Sequence, residues 1–128
     1  MKFENLLVVY NICELSNKNS DMYIDGIDGL LNQNYNTDNY TIAVSGCGVS
    51  LETKTKLLNR YKNVAFIFIL DELPMSITFN TSVCVMSQIK KFDGYIYVDS
   101  GMICKNPNIL SEINKRSITK KYGMLSIQ

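Results

Sequence analysis

The run Asn5 to Tyr10 is almost continuously apolar, without the alternation of a half-exposed strand. Such a run suits a strand covered on both faces. A second run, Val64 to Leu70, is also strand-sized. Between and beyond them, strand-like and helix-like segments take turns along the chain. That alternation predicts βαβ units and an α/β fold, a mostly parallel sheet with helices on both faces. With 128 residues the chain fits one domain, long enough to bury roughly two-thirds of its unfolded surface.

The segments can be placed in outline. After the first strand and a polar loop from Cys13 to Ser20, Asp21 is the expected cap of a helix to about Tyr35. Ile27, Leu30, Leu31 and Asn34 or Tyr35 fall on one side of it. Gly26 and Gly29 weaken that helix by roughly 1 kcal/mol each relative to alanine. A second strand covers Tyr40 to Ser45, and Gly46-Cys47-Gly48 reads as a glycine-rich loop at its end. Ser50 is the expected N-cap of a helix to Tyr61 whose inner face carries Leu51, Leu58 and Tyr61. The third strand, Val64 to Leu70, leads through Asp71-Glu72-Leu73-Pro74 to a helix from Ser76 to about Lys91. Its stripe is Phe79, Val83, Met86 and Ile89 or Lys90. Tyr95 to Val98 is the fourth strand, Asn106-Pro107 starts another helix, and Tyr122 to Ile127 reads as a last strand.

Composition removes several function classes. The net charge of +1 gives no field of the kind that drives nucleic-acid binding. No apolar run approaches the roughly 18 residues of a membrane span, and the start of the chain lacks the apolar core of a secretion signal. The expected location is cytoplasmic. Cysteines 13, 47, 84 and 104 form no Cys-x-x-Cys pair, so free thiols are expected and a zinc site is not. There is no histidine. Serine or cysteine nucleophiles paired with histidine are therefore excluded, and any acid or base must be Asp, Glu, Lys, Tyr or Cys.

Gly94-Tyr95-Ile96-Tyr97-Val98-Asp99-Ser100-Gly101 is the run richest in chemistry. An apolar strand ends in a carboxylate, a hydroxyl and a glycine, at the sheet edge where open α/β folds bind ligands. A carboxylate closing a buried strand is costly without a partner or a ligand. A polar strand end that only turns the chain is the other reading. Ser45, Gly46 and Cys47 can offer backbone donors to a base or phosphate, or form a simple tight turn. Tyr10 can stack on a base and Asn11 can hydrogen-bond its edge, although packing and capping explain either residue equally well. Asn80 is expected early in a helix, where anions are favoured. Right-handed crossovers gather these strand ends at one edge. The basic pairs Lys90-Lys91, Lys115-Arg116 and Lys120-Lys121 read as solvated helix faces.

In this order, Tyr10-Asn11, Asp28-Gly29-Leu30-Leu31-Asn32-Gln33, Ser45-Gly46, Asn80 and Tyr95 to Gly101 form a pattern. It resembles the nucleotide-sugar-binding part of inverting A-type glycosyltransferases of the family 2 kind. The resemblance implies a glycosyltransferase using a UDP- or GDP-sugar, or the donor-binding part of one, with Tyr10, Asn11, Ser45, Gly46, Cys47, Asn80, Asp99, Ser100 and Gly101 around the nucleotide. It also implies Mg or Mn held by an Asp-x-Asp strand end. Gly101 stands where the last Asp would be, leaving Asp99 alone as metal ligand, and Ser45-Gly46-Cys47 lacks the acid usual after the second strand. The acceptor region and catalytic base that the resemblance implies lie farther along than Gln128, so a domain truncated at its C-terminus, or one completed by a partner chain, is expected. The alternative is a non-catalytic relative that binds a nucleotide sugar or a protein.

Overall fold

In the computed structural model, residues 3–12, 20–69, 74–99 and 106–119 are described. The elements are β1 (Leu6–Ile12), α1 (Ser20–Leu31), a 3-10 turn (Thr37–Asn39), β2 (Tyr40–Cys47), α2 (Leu51–Arg60), β3 (Ala65–Ile69), α3 (Met75–Ser87), β4 (Gly94–Asp99) and α4 (Ile109–Thr119). The four strands form one sheet in the order β3-β2-β1-β4. All pairings are parallel. The α/β architecture expected from the alternating pattern is therefore present. The expected strand Tyr122 to Ile127, together with Cys13, Leu70, Ser100, Gly101 and Cys104, lies outside the described residues.

Strand alternation divides the sheet into two unequal faces. On one, Leu6, Val8, Tyr10 and Ile12 join Ile42, Val44 and Val98 in the larger core. Tyr23, Ile27 and Leu30 of α1, Leu57 of α2 and Leu110 of α4 close it. On the other face, Leu7, Val9 and Ala43 pack with Met86 of α3 and Phe92 beyond it, flanked by Phe79 and Val83. Both end strands are less covered: every residue of β3 is half-buried, and Tyr95 of β4 is exposed.

The helices differ from expectation in instructive ways. Helix α1 begins at Ser20, so Asp21 lies in its first turn rather than at the cap, where an acid suits the helix dipole. Lys56 of α2 reaches both Ser20 Oγ at 2.9 Å and Asp21 Oδ1 at 3.1 Å. Helix α1 stops at Leu31, and Tyr23 and Gly26 join its buried stripe. Gly26 is needed because a Cβ there would fall on the Tyr10 phenol, 2.7 Å from its Cζ. The helix weakness is thus the condition for burying a tyrosine beneath it.

Helix α2 is capped as expected, Ser50 Oγ accepting the Thr53 N–H at 3.3 Å. Its inner stripe is Thr53 and Leu57 followed by Tyr61, while Leu51 and Leu58 face solvent. Of the expected face, Tyr61 is buried and the two leucines are not. Tyr61 hydroxyl donates to Asp28 Oδ1 at 2.7 Å and accepts from Arg60 Nε at 3.2 Å. Arg60 also pairs with Asp28 Oδ2 at 3.1 Å. Burial, reinforced by the Asp28 hydrogen bond, pushes the Tyr61 phenol up to about 12.

Helix α3 ends at Ser87, earlier than expected, and Ile89 beyond it is exposed. Its most buried residues are Thr78, Ser82 and Met86, with Phe79 and Val83 only flanking them. Before α4, Asn106 Oδ1 accepts the Asn108 N–H at 2.9 Å and caps a turn, so the helix itself starts two residues after Pro107. Gln33, within the Asp28–Gln33 segment singled out above, staples α1 to α4. Its Nε2 donates to the Gly29 and Asn106 carbonyls, and its Oε1 accepts the Leu110 N–H.

Candidate functional site

Strands β1, β2 and β3 step in one direction across the sheet, and β4 returns to the other side of β1. Chain order therefore reverses between β1 and β4, and the carboxyl ends of these two strands lie at the position where open α/β sheets bind ligands. The register puts three polar residues across that end: Asn11 lies opposite Ser45 on one side and Asp99 on the other. Residues in register point to the same face, here the face beneath α3. One step down, the row is Val9, Ala43 and Tyr97, apolar except for the tyrosine hydroxyl.

Ser45 is fully buried and Asn11 is 5% exposed. Ser45 Oγ donates to Asn11 Oδ1 at 3.2 Å. That bond fixes which end of the amide faces β2. The other end of the amide is the NH2 group, which carries two donor hydrogens. No hydrogen bond to this nitrogen exists among the described residues, yet none of their fully covered side-chain nitrogens or oxygens lacks a partner. The amide nitrogen is therefore not completely covered. Asp99 beside it is half-buried. An amide donor next to a carboxylate acceptor can grip a base edge, a ribose or a sugar hydroxyl.

Helix α3 packs across β1 and β2. Thr78 and Ser82 precede Met86 on its buried stripe by two turns and one turn, toward the polar edge. Their hydroxyls donate to the Pro74 carbonyl at 3.3 Å and the Thr78 carbonyl at 2.9 Å. Sequence reading missed both residues. The signal was an i, i+4, i+8 spacing with Met86, hidden because small hydroxyl residues resemble a solvated face.

Several expected site residues sit elsewhere. Tyr10 is fully buried in the larger core under Gly26, on the opposite face from Asn11, so its ring is not a stacking platform. Gly46 and Cys47 are not a loop. They are the last residues of β2, paired with Phe68 and Ile69 of β3, and Gly46 is buried where a Cβ would meet Val49 Cγ2 at 2.8 Å. The turning glycine is Gly48, at φ 63°, a left-handed conformation that favours glycine. Cys47 is half-buried, and neither it nor Cys84 is in a disulfide. Asn80 is exposed and is the sixth residue of α3, past the first turn, so the helix-end argument for an anion does not reach it. Ser100 and Gly101 lie outside the described residues.

The structure is similar to that of a mannosyltransferase from Pyrobaculum calidifontis solved in complex with GDP-Man and Mn2+. The TM-score is 0.63 at 10% sequence identity, over 83% of this chain and 30% of that one. What the two share is a fold. This chain spans less than a third of the mannosyltransferase's length. No protein-family model matches this chain, and no curated protein does.

The neighbour's Mn2+ makes the metal question concrete. The described residues contain no group of three side chains able to hold a metal ion, and the polar row contributes one carboxylate, Asp99. A hard divalent ion needs about six oxygens and commonly takes one or two carboxylates together with substrate phosphates. Asp99 alone does not make a resident metal centre. Among the described residues no helix is long and apolar enough to cross a membrane.

Proposed function

We propose that this chain binds a nucleotide sugar, such as a UDP- or GDP-sugar, at the carboxyl ends of β1 and β4, as the donor-binding part of a glycosyltransferase. The observation that carries the reading is the row Ser45–Asn11–Asp99, a pinned amide beside a carboxylate at the point where strand order reverses. The shared fold with a mannosyltransferase supports it.

In this reading Asn11 donates from its NH2 group to an acceptor on the nucleotide. Ser45 holds that amide in orientation, and Asp99 accepts from a ribose or sugar hydroxyl. Transfer breaks the bond from the anomeric carbon to the diphosphate oxygen and forms one to the acceptor oxygen. The positive charge that builds up at the sugar resembles that in glycoside hydrolysis, and a base must take the acceptor's proton. In this reading the chain binds the donor, and none of Asn11, Ser45 and Asp99 serves as that base. A divalent ion, if used, arrives with the diphosphate and finds one protein carboxylate, Asp99. A non-catalytic relative that retains this site is the second reading, favoured by that lone carboxylate in the row.

Calorimetric titration with UDP, GDP, UDP-glucose and GDP-mannose, with Mn2+, Mg2+ or chelator, tests this. Binding that weakens at least about tenfold in Asp99→Asn is expected, the loss of one charged hydrogen bond. Absence of binding by every nucleotide under every condition overturns the donor-site reading.

A further inference from the structure

The amino-terminal edge of the sheet, opposite the candidate site, carries a cavity of about 280 Å³ lined by Asn34, Tyr35, Asn36, Ser111, Asn114 and Lys115. It lies where the turn leaving α1 meets α4. The Asn34 N–H donates to the Pro107 carbonyl at 2.6 Å, and Ser111 Oγ donates to the Asn34 carbonyl at 2.7 Å. Tyr35 hydroxyl donates to the Phe3 carbonyl at 2.7 Å, which joins this wall to the chain entering β1.

The three asparagines share one feature. Each amide is held by one end. Asn34 Nδ2 donates to Asn108 Oδ1 at 3.0 Å. Asn36 Oδ1 accepts the Asp38 N–H at 3.0 Å. Asn114 Oδ1 accepts the Phe3 N–H at 2.8 Å. The opposite end of each amide has no hydrogen-bond partner among the described residues. The lining residues thus keep one acceptor, Asn34 Oδ1, and two donors, Asn36 Nδ2 and Asn114 Nδ2, without a partner among the described residues, on side chains whose other end is held. Side chains ordered before binding lose little further entropy when a ligand arrives.

The ligand class follows from that mixture. An apolar ligand would strip water from these amides without replacing its hydrogen bonds. A phosphate is an anion that calls for several cations, whereas the lining has one, Lys115. A hydroxyl both donates and accepts, so several on one ring can meet two donors and one acceptor together. The volume falls just under the range of about 300–1,000 Å³ usual for ligand clefts, which suits one ring rather than a chain. We propose that this cavity binds a single neutral sugar ring, separately from the candidate site at the opposite edge.

The test is nitrogen-15 NMR on the full chain, following the side-chain amide signals of Asn34, Asn36 and Asn114. The probes are the methyl glycosides of glucose, galactose, mannose and N-acetylglucosamine, with inorganic phosphate as the comparison. At least one glycoside is expected to move all three signals with a dissociation constant on the order of 1–10 mM, as befits a shallow site. Asn36→Ser keeps an oxygen that can accept the Asp38 N–H and removes the spare amide donor. It is expected to weaken binding about three- to tenfold, with the unfolding midpoint unchanged. The proposal is overturned if no glycoside moves these signals at roughly ten times that concentration, if phosphate alone moves them, or if Asn36→Ser binds as wild type does.

Discussion

The two faces of the sheet are built differently. Beneath α1, α2 and α4 the packing is apolar from Leu6 to Ile12, and its helices are tied together by the Lys56–Asp21 and Arg60–Asp28 pairs and by Gln33. Beneath α3 it is apolar only toward the amino-terminal edge. Toward the carboxyl edge it changes to Asn11, Ser45, Thr78 and Ser82, all buried and polar. Apolar burial is the main favourable term in folding, whereas buried polar groups return little beyond satisfying one another. One face therefore supplies most of the stability, and the other can hold polar groups ready for a ligand.

That contrast can be broken most directly in the larger core. Leu57→Ala is expected to cost about 3–4 kcal/mol, within the usual range for a buried leucine, and more than Met86→Ala beneath α3. Urea unfolding of both variants checks the order, and equal losses would remove the distinction between faces. Gly26→Ala comes next. The added methyl collides with the Tyr10 phenol, and overpacking of this kind costs typically 1–3 kcal/mol. Combining it with Tyr10→Leu should cost less than the two single losses added together, because the hydroxyl, Cζ and Cε2 that crowd the methyl are all removed. If the two losses simply add, the collision is not the cause.

Ser45→Ala sharpens the comparison from the polar side. It leaves Asn11 Oδ1 without its donor, a loss of roughly 1–2 kcal/mol, and frees the amide to rotate. Nucleotide affinity is expected to fall together with stability. A variant that loses stability but keeps full affinity would reduce the pair to a packing device. The smallest expected effect concerns Tyr61. Its folded pKa of about 12 lies above the ordinary value near 10, so its contribution is complete below about pH 10 and disappears as pH rises through about 12. Stability measured across that window should decline less steeply in Tyr61→Phe than in wild type.

Much of the architecture was legible from residues alone. The apolar run at β1, the cap at Ser50 and the alternation of segments are local signals, and each recurs in the structure near its expected place. Helix faces were less legible. Leu51 and Leu58 outrank Thr53 in hydrophobicity, yet Thr53 and Leu57 face inward, because the direction of α2 is set by what it packs on. The same holds for α3, where Thr78 and Ser82 lie on the buried stripe.

At the candidate site, the chain by itself determined that Asn11 and Asp99 lie near or at the ends of their strands, Ile12 being the last residue of β1, and that Tyr10 and Asn11 point to opposite sides, since strand side chains alternate. Which of those two would face the α3 side could not be read locally. The larger helix layer covers one side of the sheet and takes Tyr10 into its core, with Gly26 as the space for its ring. The register across β2, β1 and β4, together with the hydrogen bond from Ser45, brings residues far apart in the chain into one row. Local sequence specifies strand, cap and period, but burial and register are properties of several segments at once, and only their packing decides them.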